Sequence, residues 1–378
     1  MQLKGSSTKK VLADLKKIRD LNQRYEDGRI LCSMCTKPHP IAVKAYQMFQ
    51  DSNLGDPGLF NRAAQLEKEV IAQLATLLHG EGSVGFLVSG GTEANLMALL
   101  AARNMAKASQ PEVVLPESAH FSFTKICNML NLKPVYAKLD SAFKVDAQDV
   151  EKHVSKNTVA IVGTAGTAEL GVVDPIEELS EIAARQDVYL HVDAAFGGLV
   201  IPFLTKAKCN FDFNLAAVKS ITVDPHKMGM APIPAGGILF RDSKTIDYIK
   251  TETPYLTDKF QYTFAGTRSG ASAAATWALF KFLGMEGFRK MVGGCMKTTK
   301  LFADGIKNLG FKLVVEPQLN TVAFRGQNTQ QVAEKLWRRG WFVSYVPRYD
   351  CIRIVVMPHT KNRHALAFLK DLSGIESL

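Results

Sequence analysis

An α/β fold built on a largely parallel sheet is predicted for this chain by three observations. Between Val84 and Phe240 short apolar runs alternate with helical stretches. The runs are rich in β-branched residues and lack a polar face, as strands covered by helices on both sides must. The residues with chemistry in them fall at or just after the ends of those runs, where open α/β sheets bind their ligands. They are SGGTEAN from Ser89, His120, GTAGTAELG from Gly163, Asp193 and Lys227.

The elements follow in order. In TKKVLADLKKIRDLNQRY, from Thr8, the apolar positions Val11, Leu12, Leu15, Ile18 and Leu21 recur at helical spacing and predict an amphipathic helix. The sheet strands are VGFLV, EVVLP, KPVYAKL, TVAIVGT, VYLHVDA, SITVD and GGILFR, with a helix opening after Thr92. Beyond about residue 250 the pattern becomes a polar and aromatic connection, ETPYLTDKFQYTFAGTRSG. A helical ASAAATWALFKFL follows, then strands and helices through FKLVVEP, TVAFR, WFVSYV and CIRIVVMP, which predict a smaller C-terminal α/β domain. The expected division is an N-terminal helical segment over 1–55, a large domain over 56–255, and a linker helix with the small domain over 256–378.

Bulk composition narrows the function classes. With 47% apolar residues in 378, a sizeable core is available. The net charge of +10 is dispersed in short runs such as Lys9-Lys10 and Arg338-Arg339, which suits anionic small molecules better than a nucleic-acid track. No apolar run approaches the roughly 18 residues of a membrane span, and no secretory leader is evident. Six cysteines in such a chain read as reduced thiols in a cytoplasmic protein. Cys32-Ser-Met-Cys35 has metal or redox spacing, but no second ligand pair follows it, so no metal is expected.

The chemistry is concentrated in three motifs. In SGGTEAN, Gly90 and Gly91 let the backbone approach an anion, Ser89 and Thr92 offer hydroxyls, and the helix that follows presents free N–H groups. In YLHVDAAFGG, Asp193 ends a strand where an unpaired carboxylate would be costly. In SITVDPHKMGMAPIPAGG, His226 and Lys227 end an apolar strand, and a lysine so placed has few structural uses. A lysine to bond an aldehyde, a carboxylate to keep a pyridine nitrogen protonated and a glycine turn for a phosphate together describe a pyridoxal 5'-phosphate site. Ala195 is small enough to let one face of the ring pack closely, and His120, in PESAHFSF, is the candidate to stack on the other.

SGGTEANLMAL, PESAHFSF, HVDAAFGGLVIPFL, DPHKMGMAPIPAGGILFRD and CIRIVVMPH, with NLGDPGLF and AGTRSGA, resemble the group II pyridoxal-phosphate-dependent amino-acid decarboxylases, in their archaeal L-tyrosine/L-aspartate decarboxylase branch. The resemblance covers nearly the whole chain. It implies the fold-type I architecture, with a seven-stranded, mostly parallel sheet in the large domain, and a homodimer with its active sites at the interface. It assigns the aldehyde to Lys227, the ring nitrogen to Asp193, ring stacking to His120, and the phosphate to Gly91 and Thr92 with help from His226. It further implies that Thr167 lies beside the ring, that Gly266 and Thr267 reach the neighbouring subunit's phosphate, that Arg353 holds a substrate carboxylate, and that Asn53 and Asp56 lie near the substrate. Tyr255, in the connection after the Lys227 segment, is the candidate proton donor to the substrate Cα, on a segment able to close over the site.

The reaction expected is decarboxylation of an L-amino acid, L-tyrosine to tyramine or L-aspartate to β-alanine. Two rivals share parts of the pattern. A carbon–carbon lyase of the sphingoid-phosphate type resembles the chain at HVDA, HK and the AGTRSG segment but usually carries a membrane anchor. An enzyme acting on a tRNA-bound substrate would use the positive charge.

Overall fold

The computed structural model describes residues 4–106, 108–205 and 209–375. All seven expected runs form strands: β1 (Val84–Val88), β2 (Glu112–Pro116), β3 (Lys133–Ala137), β4 (Thr158–Thr164), β5 (Tyr189–Asp193), β6 (Val218–Val223) and β7 (Gly236–Phe240). They make one sheet in the order β1-β7-β6-β5-β4-β2-β3. Pairing is parallel from β6 through β5, β4 and β2 to β3, and β7 runs antiparallel to both its neighbours. The reversal has a local cause: β6 and β7 are joined by residues 224–235, which form the Lys227 turn and contain no helix to carry the chain back across the sheet, as parallel neighbours usually need.

Every residue of β4, β5 and β7 is buried, so these strands carry no polar face. The helices Gly91–Met105 and Ile176–Gln186 cover the sheet with buried Leu96, Met97 and Leu99 in the first and Ile176, Leu179 and Ile182 in the second. Because β2, β4, β5 and β6 point the same way, their carboxyl ends meet along one edge, and β7 begins there. The diglycine turn after β1 crosses that edge closely. A Cβ on Gly236 would stand 2.4 Å from the Gly90 Cα, so only glycine lets the two segments meet.

The helix Gly270–Asn308, broken at Gly284, leads from the large sheet to the small domain. There the order Lys312–Leu313, Thr321–Arg325, Cys351–Val355, Ser344–Val346 makes a four-stranded antiparallel sheet. The FKLVVEP run contributes only Lys312 and Leu313 to it, and WFVSYV only its last three residues. The small sheet shares one core with the large domain, which joins Phe324, Ile354 and Trp341 to Leu190 and Val192.

The N-terminal helix spans Thr8–Asp20 and buries none of its residues. Its apolar stripe is open along its length, from Val11 at 44% to Leu21 at 84% exposure. Farther on, Leu31 donates to Phe342 O and accepts from Val355 N, which docks the chain on the small domain and directs Cys32–Thr36 towards the site.

Arg268 of AGTRSG and Glu67 form a bidentate pair with about 10% of each side chain exposed. Arg268 also donates to Leu87 O (2.7 Å) and Leu54 O (3.2 Å), and Glu67 accepts from Leu87 N (2.7 Å). The pair thus ties β1 to the segment before the long helix. Glu67→Ala leaves a buried guanidinium without its partner and should lower folding stability by about 3–5 kcal/mol in denaturant titration.

Candidate active site

A cavity of about 330 Å³ opens at the carboxyl edge of the sheet. Its wall includes Gly91, Thr92, His120, Asp193, Ala195, His226 and Lys227, which the sequence singles out, together with Met34, Asn95, Thr164 and Asp224, which it does not. Each strand delivers its group for the same reason. Asp193 ends β5, Thr164 ends β4, and Asp224 follows β6 directly, so three parallel strands place three polar side chains on one rim.

Asp193 is 6% exposed and held by a one-way chain of donors. Ser220 Oγ lies 2.8 Å from His191 Nδ1, and His191 Nε2 lies 3.0 Å from Asn95 Oδ1, which also accepts from Thr222 Oγ1 (2.6 Å). Asn95 Nδ2 then donates to Asp193 Oδ2 (2.9 Å), and Ala195 N donates to Asp193 Oδ1 (3.1 Å). With Asn95 Oδ1 as the acceptor, the His191 proton sits on Nε2, so every bond in the chain points at the carboxylate. Burial pushes the His191 pKa down to about 4, with Asp193 opposing, so the ring stays neutral and leaves the carboxylate its charge. Periodicity alone could not find this chain, since its members come from three elements. Asn95 nonetheless lies inside the SGGTEAN motif.

The diglycine turn fits an anion closely. A Cβ on Gly91 would meet Asp224 Oδ2 at 3.0 Å and Ala195 Cβ at 3.1 Å, and one on Gly90 would meet His226 Cε1 at 3.1 Å. Gly90 caps the helix Gly91–Met105 without a side-chain cap, so that its first N–H groups face the cavity. Glu93 in the first turn is turned away from the anion position and holds the loop, accepting from Ser89 N (2.8 Å), Ser89 Oγ (2.7 Å) and Ala265 N (3.1 Å).

Lys227 Nζ stands 3.3 Å and His226 Nε2 3.6 Å from Asp224 Oδ2. His120 Nδ1 accepts from Ser122 N (3.3 Å), which leaves Nε2 for the proton, and its ring lies against Phe121 with centroids 4.1 Å apart. Burial is the main cause of the lowered pKa of both His120 and His226; nearby carboxylates oppose it. Asp224 Oδ1 and Thr164 Oγ1 are buried on this wall with no hydrogen-bond partner. A glycine cradle, the acid Asp193, a lysine on the same wall and the orphaned Thr164 hydroxyl fit pyridoxal phosphate.

Other expected residues lie elsewhere. Thr167 is 1% exposed and spends its hydroxyl on Val172 N (3.2 Å), inside the turn rather than on the cavity wall. Asn53 Oδ1 accepts from Gly55 N (2.8 Å) and Arg268 N (3.1 Å), and Asp56 accepts from Thr257 N (3.2 Å), so both brace the loop against the AGTRSG connection. Gly266 and Thr267 are exposed and outside this cavity, and Tyr255 is 85% exposed in the ribbon between Thr251–Glu252 and Phe260–Gln261. Arg353 lies beside the cavity: it donates to the carbonyl oxygens of Ala168 and Cys32 and to Ser344 Oγ (3.1 Å). Burial lowers its pKa, and no carboxylate pairs with it among the described residues.

The sheet order, the lysine turn and the cradle define a fold-type I pyridoxal-phosphate enzyme. The pyridoxal-dependent decarboxylase conserved domain matches residues 62–327, and the chain belongs to that family of amino-acid carboxy-lyases. It is 52% identical over 356 residues to a Methanothermobacter thermautotrophicus protein named "Probable L-tyrosine/L-aspartate decarboxylase", covering 93% of this chain and 98% of the relative. Its identity to the L-aspartate decarboxylase of Thermococcus kodakarensis is 48% over 378 residues, covering 98% of each. Among solved structures, a Burkholderia pseudomallei sphingosine-1-phosphate lyase matches with a TM-score of 0.91 at 28% identity, over 99% of this chain and 91% of that one. A Lactobacillus brevis glutamate decarboxylase matches in fold with a TM-score of 0.90 at 23% identity, over 99% and 93%.

Proposed function

We propose that the chain removes the α-carboxyl group of L-tyrosine or L-aspartate as CO2, with Arg353 holding a substrate carboxylate. The observation that carries this is a part-buried guanidinium bound to carbonyls and a hydroxyl, next to the cavity-lining Ala168 and in no salt bridge among the described residues. The names of the 52% and 48% identical relatives supply the two substrates. The sphingosine-1-phosphate lyase shares the fold at lower identity, so fold likeness alone does not favour its chemistry.

Lys227 bonds the cofactor aldehyde, the Gly90-Gly91 turn and His226 hold its phosphate, and Asp193 keeps its ring nitrogen protonated. The bound cofactor supplies the sink for the electron pair left when CO2 departs. His120 and Ala195, both on the cavity wall, would pack against the ring. Arg353 orients the substrate through a planar fork, which two parallel hydrogen bonds to a carboxylate require. Arg353→Lys retains charge without the fork and should raise KM about tenfold or more while cofactor binding is unchanged. Comparing rates on tyrosine, aspartate and glutamate tests the substrate. No CO2 from any of them would sink the reading.

We further propose a cytoplasmic homodimer, in which residues 56–255 bind the cofactor and 256–378 form the small domain. The exposed Gly266, Thr267 and Tyr255 then serve the neighbouring subunit's site; Phe264 on the same connection and Leu59 on the NLGDPGLF loop hydrogen-bonded to it are each more than 60% exposed. All six cysteines are free, which suits a reducing compartment. In this arrangement the Tyr255 hydroxyl delivers the proton to Cα after CO2 leaves. Tyr255→Phe should then release CO2 in excess over amine. Equal yields at the unaltered rate, or an active monomer in sedimentation, would exclude this role.

A further inference from the structure

Asp224 and Asp193 are the two carboxylates on the cavity wall, and the chemistry above makes no use of Asp224. It is 2% exposed. Its Oδ2 lies 3.3 Å from Lys227 Nζ and 3.6 Å from His226 Nε2, while Oδ1 has no partner. The same Oδ2 stands 3.0 Å from where a Cβ on Gly91 would be, so the carboxylate also faces the turn that receives the phosphate. An acid beside an anion site repels the ligand it borders. A buried oxygen without a hydrogen bond adds an uncompensated desolvation cost. Neither helps the fold or the phosphate, so the useful contact is the one to Lys227.

We propose that Asp224 is a positioning residue for Lys227, holding the amine in the turn whenever it is not bonded to the cofactor, at the expense of phosphate affinity. The turn makes this possible: Asp224 N is anchored on Ala195 O (3.2 Å) and Lys227 N on Asp224 O (3.0 Å), so acid and amine share a short rigid loop. Bonding to an aldehyde requires the free amine. One proton passes from Lys227 Nζ to Asp224 Oδ2, the nitrogen adds to the aldehyde carbon, and the aldehyde oxygen leaves as water with the two remaining amine hydrogens. Asp224 then returns its proton to solvent. The inference rests on the assignment of Lys227 above.

Asp224→Asn separates the two effects because they have opposite signs. Affinity for 4'-deoxypyridoxine 5'-phosphate, which has the ring and phosphate but no aldehyde, should rise about tenfold in equilibrium dialysis, since one repelling charge is gone. The rate at which the visible absorption of the lysine-bound cofactor develops on adding pyridoxal phosphate should fall about tenfold or more, since the amine has lost its tether and proton acceptor. Weaker binding of the deoxy compound with a lowered melting temperature would overturn the proposal in favour of a structural acid. Wild-type bonding kinetics would overturn it directly. Asp224→Ser, smaller and also neutral, gives the same two readouts should the amide variant not fold. Borohydride reduction and peptide mapping distinguish the failures. Label on a lysine other than Lys227 overturns the site assignment and this inference together, whereas label on Lys227 at the wild-type rate overturns only the inference.

Discussion

Lys227→Ala should yield a folded protein with no detectable CO2 release and no visible absorption after incubation with pyridoxal phosphate. Among the described residues Lys227 is the one lysine lining the cavity, so no other of them is placed to bond the same aldehyde. The variant also strands a carboxylate that is 2% exposed, so folding stability should drop by about 1–3 kcal/mol. Denaturant titration measures that loss separately from catalysis. A borohydride-reducible adduct persisting in the variant would show that another amine carries the cofactor.

Asp193→Asn should bind the cofactor and lose roughly 10²-fold or more in kcat. The carboxylate accepts Asn95 Nδ2 on one oxygen and Ala195 N on the other; an amide has the same shape but keeps only one of these bonds, because its NH2 meets the other donor. It cannot offer a negative charge to a ring N–H, so the ring is no longer held as the cation that draws electrons from Cα. The neutral His191 behind Asn95 supplies no compensating charge. Near-normal kcat in this variant would mean that Asp193 only braces the wall.

Much of this architecture is legible in the chain because its signals are local. Seven short runs, mostly apolar, read as strands of a helix-covered sheet since parallel strands have helices on both faces, and each forms within a residue or two of its run. Asp193, Lys227 and the diglycine turn stand out because an ionisable group or a glycine pair at a strand end costs free energy that a core position would not tolerate. The small-domain run FKLVVEP misleads for the converse reason. It lies at the sheet edge, where only Lys312 and Leu313 find a partner strand.

The side chains that reading misses act through contacts distant in sequence. Glu67 reads as one more polar residue on a helix until Arg268, two hundred positions on, is found against it. Thr167 sits in the right loop, yet the turn at Val172 claims its hydroxyl. Asn53 and Asp56 look like ligands by spacing and are drawn into bracing a loop.

By itself, then, the sequence determined the fold class, the cofactor chemistry and the residues at the strand ends, since periodicity and motif are properties of neighbours along the chain. Only the tertiary structure decided which of two acids faces the lysine, how four side chains from three elements orient Asp193, and which exposed residues lie outside the cavity. Those depend on where separate segments converge, and convergence is set by packing of the whole core rather than by any local pattern.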